Sequence, residues 1–154
     1  MDAEWSTPNI FQFTKGERKG HTLDFDPESM KRLDYLIYCL KKEGIYIYMD
    51  MLTYRKFKTA DGVAEAEKLD DAARPYCIFD RKLIELQKKF NYDLWNHINP
   101  YTGLAYKDDP AIVMTEIINE GDMFSRPTVI PHYKNILDRM FDEWLLKNNK
   151  QKPE

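Results

Sequence analysis

Apolar residues recur at helical spacing in three stretches of the chain and crowd into short β-rich runs in two others. Leu33, Leu36, Ile37 and Leu40 fall at i, i+3, i+4 and i+7 and predict an amphipathic helix. Asp26 suits its N-cap, Pro27 its first position and Glu28 the positive end of its dipole. Lys41 and Lys42 suit its last turn, and Gly44 the left-handed residue that ends it. Asp80 opens a second helix with Leu83, Leu86, Phe90 and Leu94 as its stripe, widened by Ile84 and Trp95 and closed by the turn residues 99–103. Pro131 opens a third, with Tyr133, Leu137, Met140 and Trp144 on the apolar side. Between them, 45–52 and 111–120 read as strands from their β-branched and aromatic content. The order helix, strand, helix, strand, helix is one right-handed crossover with its flanks, which predicts an α/β protein with parallel strands.

The run Ala111-Ile-Val-Met-Thr-Glu-Ile-Ile-Asn-Glu120 organises the rest. Apart from Glu116 it is apolar at both parities, the pattern of a strand covered on both faces. Active sites in α/β folds gather at the carboxyl ends of such strands, so Asn119 and Glu120 are candidates for chemistry. The plainer alternative is that Glu120 opens a solvated loop and Asn119 caps the next turn. Asp50, near the end of the first strand, either lines a site or is an ion-paired structural carboxylate. Residues 53–79 carry no clear period, and a connection this long is commonly functional or mobile. Tyr54, Arg55, Lys56, Phe57 and Lys58 mix cations with aromatics and suit the wall of a carbohydrate groove. Residues 1–25 are punctuated by Pro8, Asn9, Gly16 and Gly20, with Trp5 either a stacking platform or an anchor over the core.

Glu116-Ile-Ile-Asn-Glu120 resembles the strand-four motif of retaining glycoside hydrolases of clan A, in particular the family 5 cellulase-like group. The stretches 2–11, 32–40, 44–48 and 99–106 are similar to members of the same group, so the likeness runs through nearly the whole chain. It implies a partial (β/α)8 barrel, from about strand three to helix four with the preceding helix and loop. A whole barrel takes about 250 residues, so residues 1–154 are expected to be a single, incomplete domain. It further implies Glu120 as general acid/base, held protonated by burial and a neighbouring carboxylate, with Asn119, Trp5, Asp2 and Asp50 contacting substrate. The nucleophile of the clan is a glutamate on a strand this chain does not reach; Glu116, deeper in the sheet, is expected to be a buried structural carboxylate. The substrate would be a β-linked poly- or oligosaccharide. Gly121 departs from the pattern, which carries Asn there. The alternative function is a non-catalytic or degenerate carbohydrate-binding barrel fragment.

Composition narrows the alternatives. A net charge of -3 gives no electrostatic case for nucleic acid. No apolar run approaches the roughly 20 residues of a membrane span. A doubly wound nucleotide-binding unit would need a glycine-rich loop after residue 52 or 120, and neither has one. Cys39 and Cys77 make no disulfide framework, with Cys39 expected as a small core residue. His21, His97 and His132 lack metal-ligand spacing, so neither metal nor cofactor is expected. The first residues lack the basic and apolar regions of a signal peptide, although an extracellular or periplasmic site would fit the family.

Overall fold

The computed structural model describes residues 8–14, 19–69, 73–124 and 129–152. Its elements run α1 (Pro27–Lys42), β1 (Ile47–Asp50), α2 (Ala66–Leu69), α3 (Arg81–Asn96), β2 (Ile112–Glu116) and α4 (Pro131–Lys147). Three single 3-10 turns lie at Thr59–Asp61, Tyr76–Ile78 and Tyr106–Asp108. The fold is α/β: β1 and β2 pair in parallel, joined by a crossover that carries α3.

Helices α1 and α3 start as their sequences dictate. The Asp26 carboxylate accepts from the Ser29 amide at 2.9 Å, and that of Asp80 from the Leu83 amide at 2.9 Å, each satisfying an orphan donor of the first turn. Gly44 leaves α1 at φ +69°, where a Cβ would be strained. The α3 stripe Leu83, Leu86, Phe90 and Leu94 is buried throughout. In α1 the inward face is rotated slightly from the expected one. Met30, Asp34 and Ile37 are buried, and Leu36 is exposed.

Asp34 explains that rotation. Its carboxylate lies 2.9 Å from His97 Nε2 and accepts from the Tyr106 hydroxyl at 2.8 Å. The Asn99 side chain donates to the Asp34 carbonyl at 2.9 Å. A buried carboxylate must be hydrogen-bonded, and these contacts tie α1 to the end of α3 and to the turn that leads into β2. Burial, followed by the hydrogen bond to Asp34, raises the pKa of the Tyr106 hydroxyl, which stays protonated.

Two apolar clusters fill the interior. One gathers Ile10, Phe11, Met30, Ile37, Met49, Met51, Phe90, Leu94 and Tyr106. The other gathers residues of the 52–79 connection with Leu83, Leu86, Ile130 and Tyr133. The connection that lacks an apolar period is therefore a wall of the core, built from short turns whose side chains point inward irregularly. Arg55 and Phe57 are buried within it and form no groove wall. Cys39 is only half-buried, and both cysteines are free.

Two further expectations are corrected. Regular β2 ends at Glu116, and Val113, Met114, Thr115 and Ile117 are exposed, so the strand lacks the cover expected on its two faces. Met49 of β1 faces the core, while Tyr48 faces out beside Met114. In α4, Tyr133 and Leu145 are buried, but Met140 and Trp144 are exposed; its second half does not present the expected stripe to the core.

Candidate functional site

The parallel strands end side by side in two carboxyl groups. Asp50 and Glu116 are register partners, and an irregularity between Ile47 and Tyr48 brings Tyr48 beside Met114. Side chains two apart on a strand share a face, so Tyr48 and Asp50 both reach Glu116. The Tyr48 hydroxyl donates to Glu116 Oε2 at 2.6 Å. Glu116 is thus half-buried beside Tyr48, not sealed in the sheet as its position in the motif suggested.

Burial first, then a hydrogen bond to Glu116, push the Asp50 carboxyl above its ordinary pKa, while the bond to Tyr48 pulls the other way. One Asp50 oxygen is buried and has no partner among the described residues. Tyr48 is raised as well, chiefly by its bond to Glu116, and keeps its proton. The trio can share, accept or hand over a proton at the strand ends.

The sign of the Asp50 shift has a consequence for stability. A carboxyl raised in the folded state contributes stability that is present below its unfolded pKa and lost as pH rises through its folded one. Asp50→Asn is therefore expected to raise Tm at neutral pH, with the gain shrinking to nothing as pH falls below the ordinary carboxylate range. Thermal unfolding of both proteins across that range reads it out, and a gain that grows on acidification would reverse the assignment.

Pairing continues past the regular strands. The Met51 amide donates to the Glu116 carbonyl at 2.9 Å, and the Asn119 amide to the Leu52 carbonyl at 2.9 Å. Asn119 is the last residue held along the sheet. The chain then turns away through Glu120 at φ +49°, a left-handed conformation that costs a non-glycine residue of order 1 kcal/mol. Gly121 follows for a local reason. A Cβ there would come within 2.6 Å of the Ile118 side chain, so an asparagine at this position would force Ile118 aside.

Arg74 fixes this bend. Its Nη1 donates to Glu120 Oε2 at 3.0 Å and to the Asn119 carbonyl at 3.2 Å. Its guanidinium lies over the Tyr54 ring, 4.4 Å from the centroid. The arginine side chain is 12% exposed, whereas that of Glu120 is 70% exposed. The burial and neighbouring carboxylate expected around Glu120 are thus replaced by solvent and a cation.

Of the candidates read from the sequence, Asn119 and Glu120 come together at one rim, and Asp50 stands at the strand end with Glu116. Asp2 and Trp5 lie outside the described residues. Tyr48 and Arg74 are additions, while Glu116 was expected as a structural carboxylate and Tyr54, read as part of a groove wall, lies under the Arg74 guanidinium. Tyr48 was legible as a same-face neighbour of Asp50, but Arg74 has no local signal, being 46 residues from Glu120. Among the described residues no group of three or more His, Cys, Asp or Glu side chains is arranged to hold a metal ion, and no helix is long and apolar enough to cross a membrane. No family model matches the chain, and no curated protein matches it.

Proposed function

We propose that the chain is part of a retaining glycosidase built on a (β/α)8 barrel, acting on a β-linked poly- or oligosaccharide. Glu120 is the general acid/base and Asn119 bonds the sugar hydroxyl beside the reacting carbon. The observation that carries this is the rim itself. Backbone pairing ends at Asn119, and a strained Glu120, clamped by Arg74, follows it directly. Strain of this kind collects at functional sites, because the surroundings must enforce it. Retaining chemistry needs a second carboxyl group about 5 Å from the first. We read that nucleophile as a separate glutamate, with Asp50, Glu116 and Tyr48 orienting substrate.

The second reading, a non-catalytic carbohydrate-binding domain, is favoured by the exposure of Glu120 and its pairing with a cation. One titration separates the two. Cello- and manno-oligosaccharides are added to the complete protein, which carries the strand of the nucleophile, while amide shifts and product release are followed together. Binding at Asn119 and Glu120 with turnover supports the glycosidase, and binding there without turnover supports the second reading. Binding at neither residue removes both.

A further inference from the structure

We propose that a recess between the loop before α1 and the segment after β1 binds a small tetrahedral oxyanion, phosphate or sulfate. This site is independent of the glycosidase reading, and both of its walls belong to this chain. Lys19, His21, Lys56 and Lys58 line it with Phe11 and three uncharged polar residues, and no carboxylate among the described residues shares the lining. All four are half-buried, although lysine is ordinarily an exposed residue. A recess walled by one sign of charge concentrates the opposite ion. His21 adds a directed donor. Its Nδ1 accepts from the Leu23 amide at 3.3 Å, so even the neutral ring carries a proton on Nε2.

The two walls are held together before any ligand arrives. The Asp61 carboxylate accepts from the Thr22 amide and hydroxyl at 2.7 and 2.8 Å, and from the Lys58 amide at 2.8 Å. It thereby staples the first wall to the second, and Asp61 itself is buried and outside the lining. Asn9 Oδ1 accepts from the Phe11 and Gln12 amides, and Gln12 Oε1 from the Lys19 amide, which fixes the first wall from within. Size and charge then select the occupant. The recess measures about 20 Å³, room for one water-sized group. One oxygen of a tetrahedral dianion enters, and three remain at the mouth for three ammonium groups. A carboxylate would leave one oxygen there and carry one charge. An ammonium has three donors, so each lysine can keep the partner it already has, as Lys19 has the Asp24 carbonyl, and still bind.

Calorimetric titration of the complete protein with sodium phosphate, against sodium chloride at equal ionic strength, tests this. The expected result is saturable one-to-one binding, and a Tm that rises in phosphate beyond its value in chloride. Lys56→Gln and Lys58→Gln should each weaken binding about tenfold, the loss for one charge-assisted hydrogen bond. His21→Phe should weaken it by a smaller factor, and Lys58→Arg should keep most of the affinity. Lys42→Gln, at the carboxyl end of α1, should leave it unchanged. Unfolding without phosphate confirms that each variant is folded. Glucose 6-phosphate distinguishes the sources: tighter binding than inorganic phosphate assigns an ester on a sugar, and weaker or equal binding assigns the free ion. Phosphate binding no stronger than that of chloride overturns the proposal. So does phosphate binding that Lys56→Gln and Lys58→Gln leave intact, or acetate that binds as tightly as phosphate.

Discussion

Arg55→Leu is expected to cost the fold roughly 3–5 kcal/mol, the range for stripping one partner from a buried charged network. Arg55 is 2% exposed. Its Nε donates to Thr22 Oγ1 at 3.0 Å and its Nη2 to the Thr22 carbonyl at 2.7 Å. Its Nη1 reaches the Leu86 carbonyl and Gln87 Oε1, both at 3.3 Å. The rings of Phe11, Phe57 and Phe90 surround the guanidinium at 5.1, 4.6 and 5.5 Å. Thr22 in turn donates from its amide and hydroxyl to the buried Asp61 carboxylate, at 2.7 and 2.8 Å. A leucine fills part of the volume but leaves the Thr22 carbonyl and the Gln87 amide oxygen without their donor, and breaks the link that runs through Thr22 to Asp61. For a chain of this size the loss should lower Tm by about 10 °C. Arg32→Leu is the matched control. Arg32 also lies over a phenylalanine and bonds Glu28, but at the surface, where such pairs contribute about 0–1 kcal/mol. Equal effects from the two substitutions would mean that the Arg55 cluster is not closed to water.

The same residue illustrates which parts of this structure can be read from the chain. Helices α1 and α3 were legible, because caps and apolar spacing are local. The connection after β1 was not. Arg55 and Phe57 look like a groove wall in sequence, yet they sit in the core because Thr22, 33 residues away, supplies the acceptors that let a guanidinium be buried. The β2 run misleads differently. Apolar residues on both parities signal cover on both faces, and here the consecutive Val113, Met114 and Thr115 are all open to solvent. At the rim, the run read as a strand to Glu120 overshoots the regular strand, which ends at Glu116, and the pairing that carries on to Asn119 depends on Leu52 in the other strand's extension. The proton-sharing trio required knowing the register, which an irregularity shifts by one residue, and the Arg74 clamp required knowing the tertiary fold.

Glu120→Gln is the sharpest measure of the rim. Glutamine keeps the shape and retains an oxygen able to accept from Arg74, so the bend at 119–121 should persist. The exposed ion pair it replaces contributes about 0–1 kcal/mol, and Tm should scarcely move. What disappears is the titratable proton. General acid–base catalysis is worth roughly 10²–10⁴-fold, so in the complete enzyme, which carries the nucleophile, kcat on natural β-linked glycans should fall by that factor. Aryl glycosides with activated leaving groups need no protonation to depart, and their glycosylation step should be spared. That split between substrates is the diagnostic, because a structural defect would slow both. It also bears on the Arg74 contact. For Glu120 to deliver a proton it must leave the guanidinium as substrate arrives, and Arg74, freed from the carboxylate, would still hold the Asn119 carbonyl in place. Unchanged turnover on natural glycans in the Gln variant would remove Glu120 from the reaction and leave the clamp as a purely architectural contact.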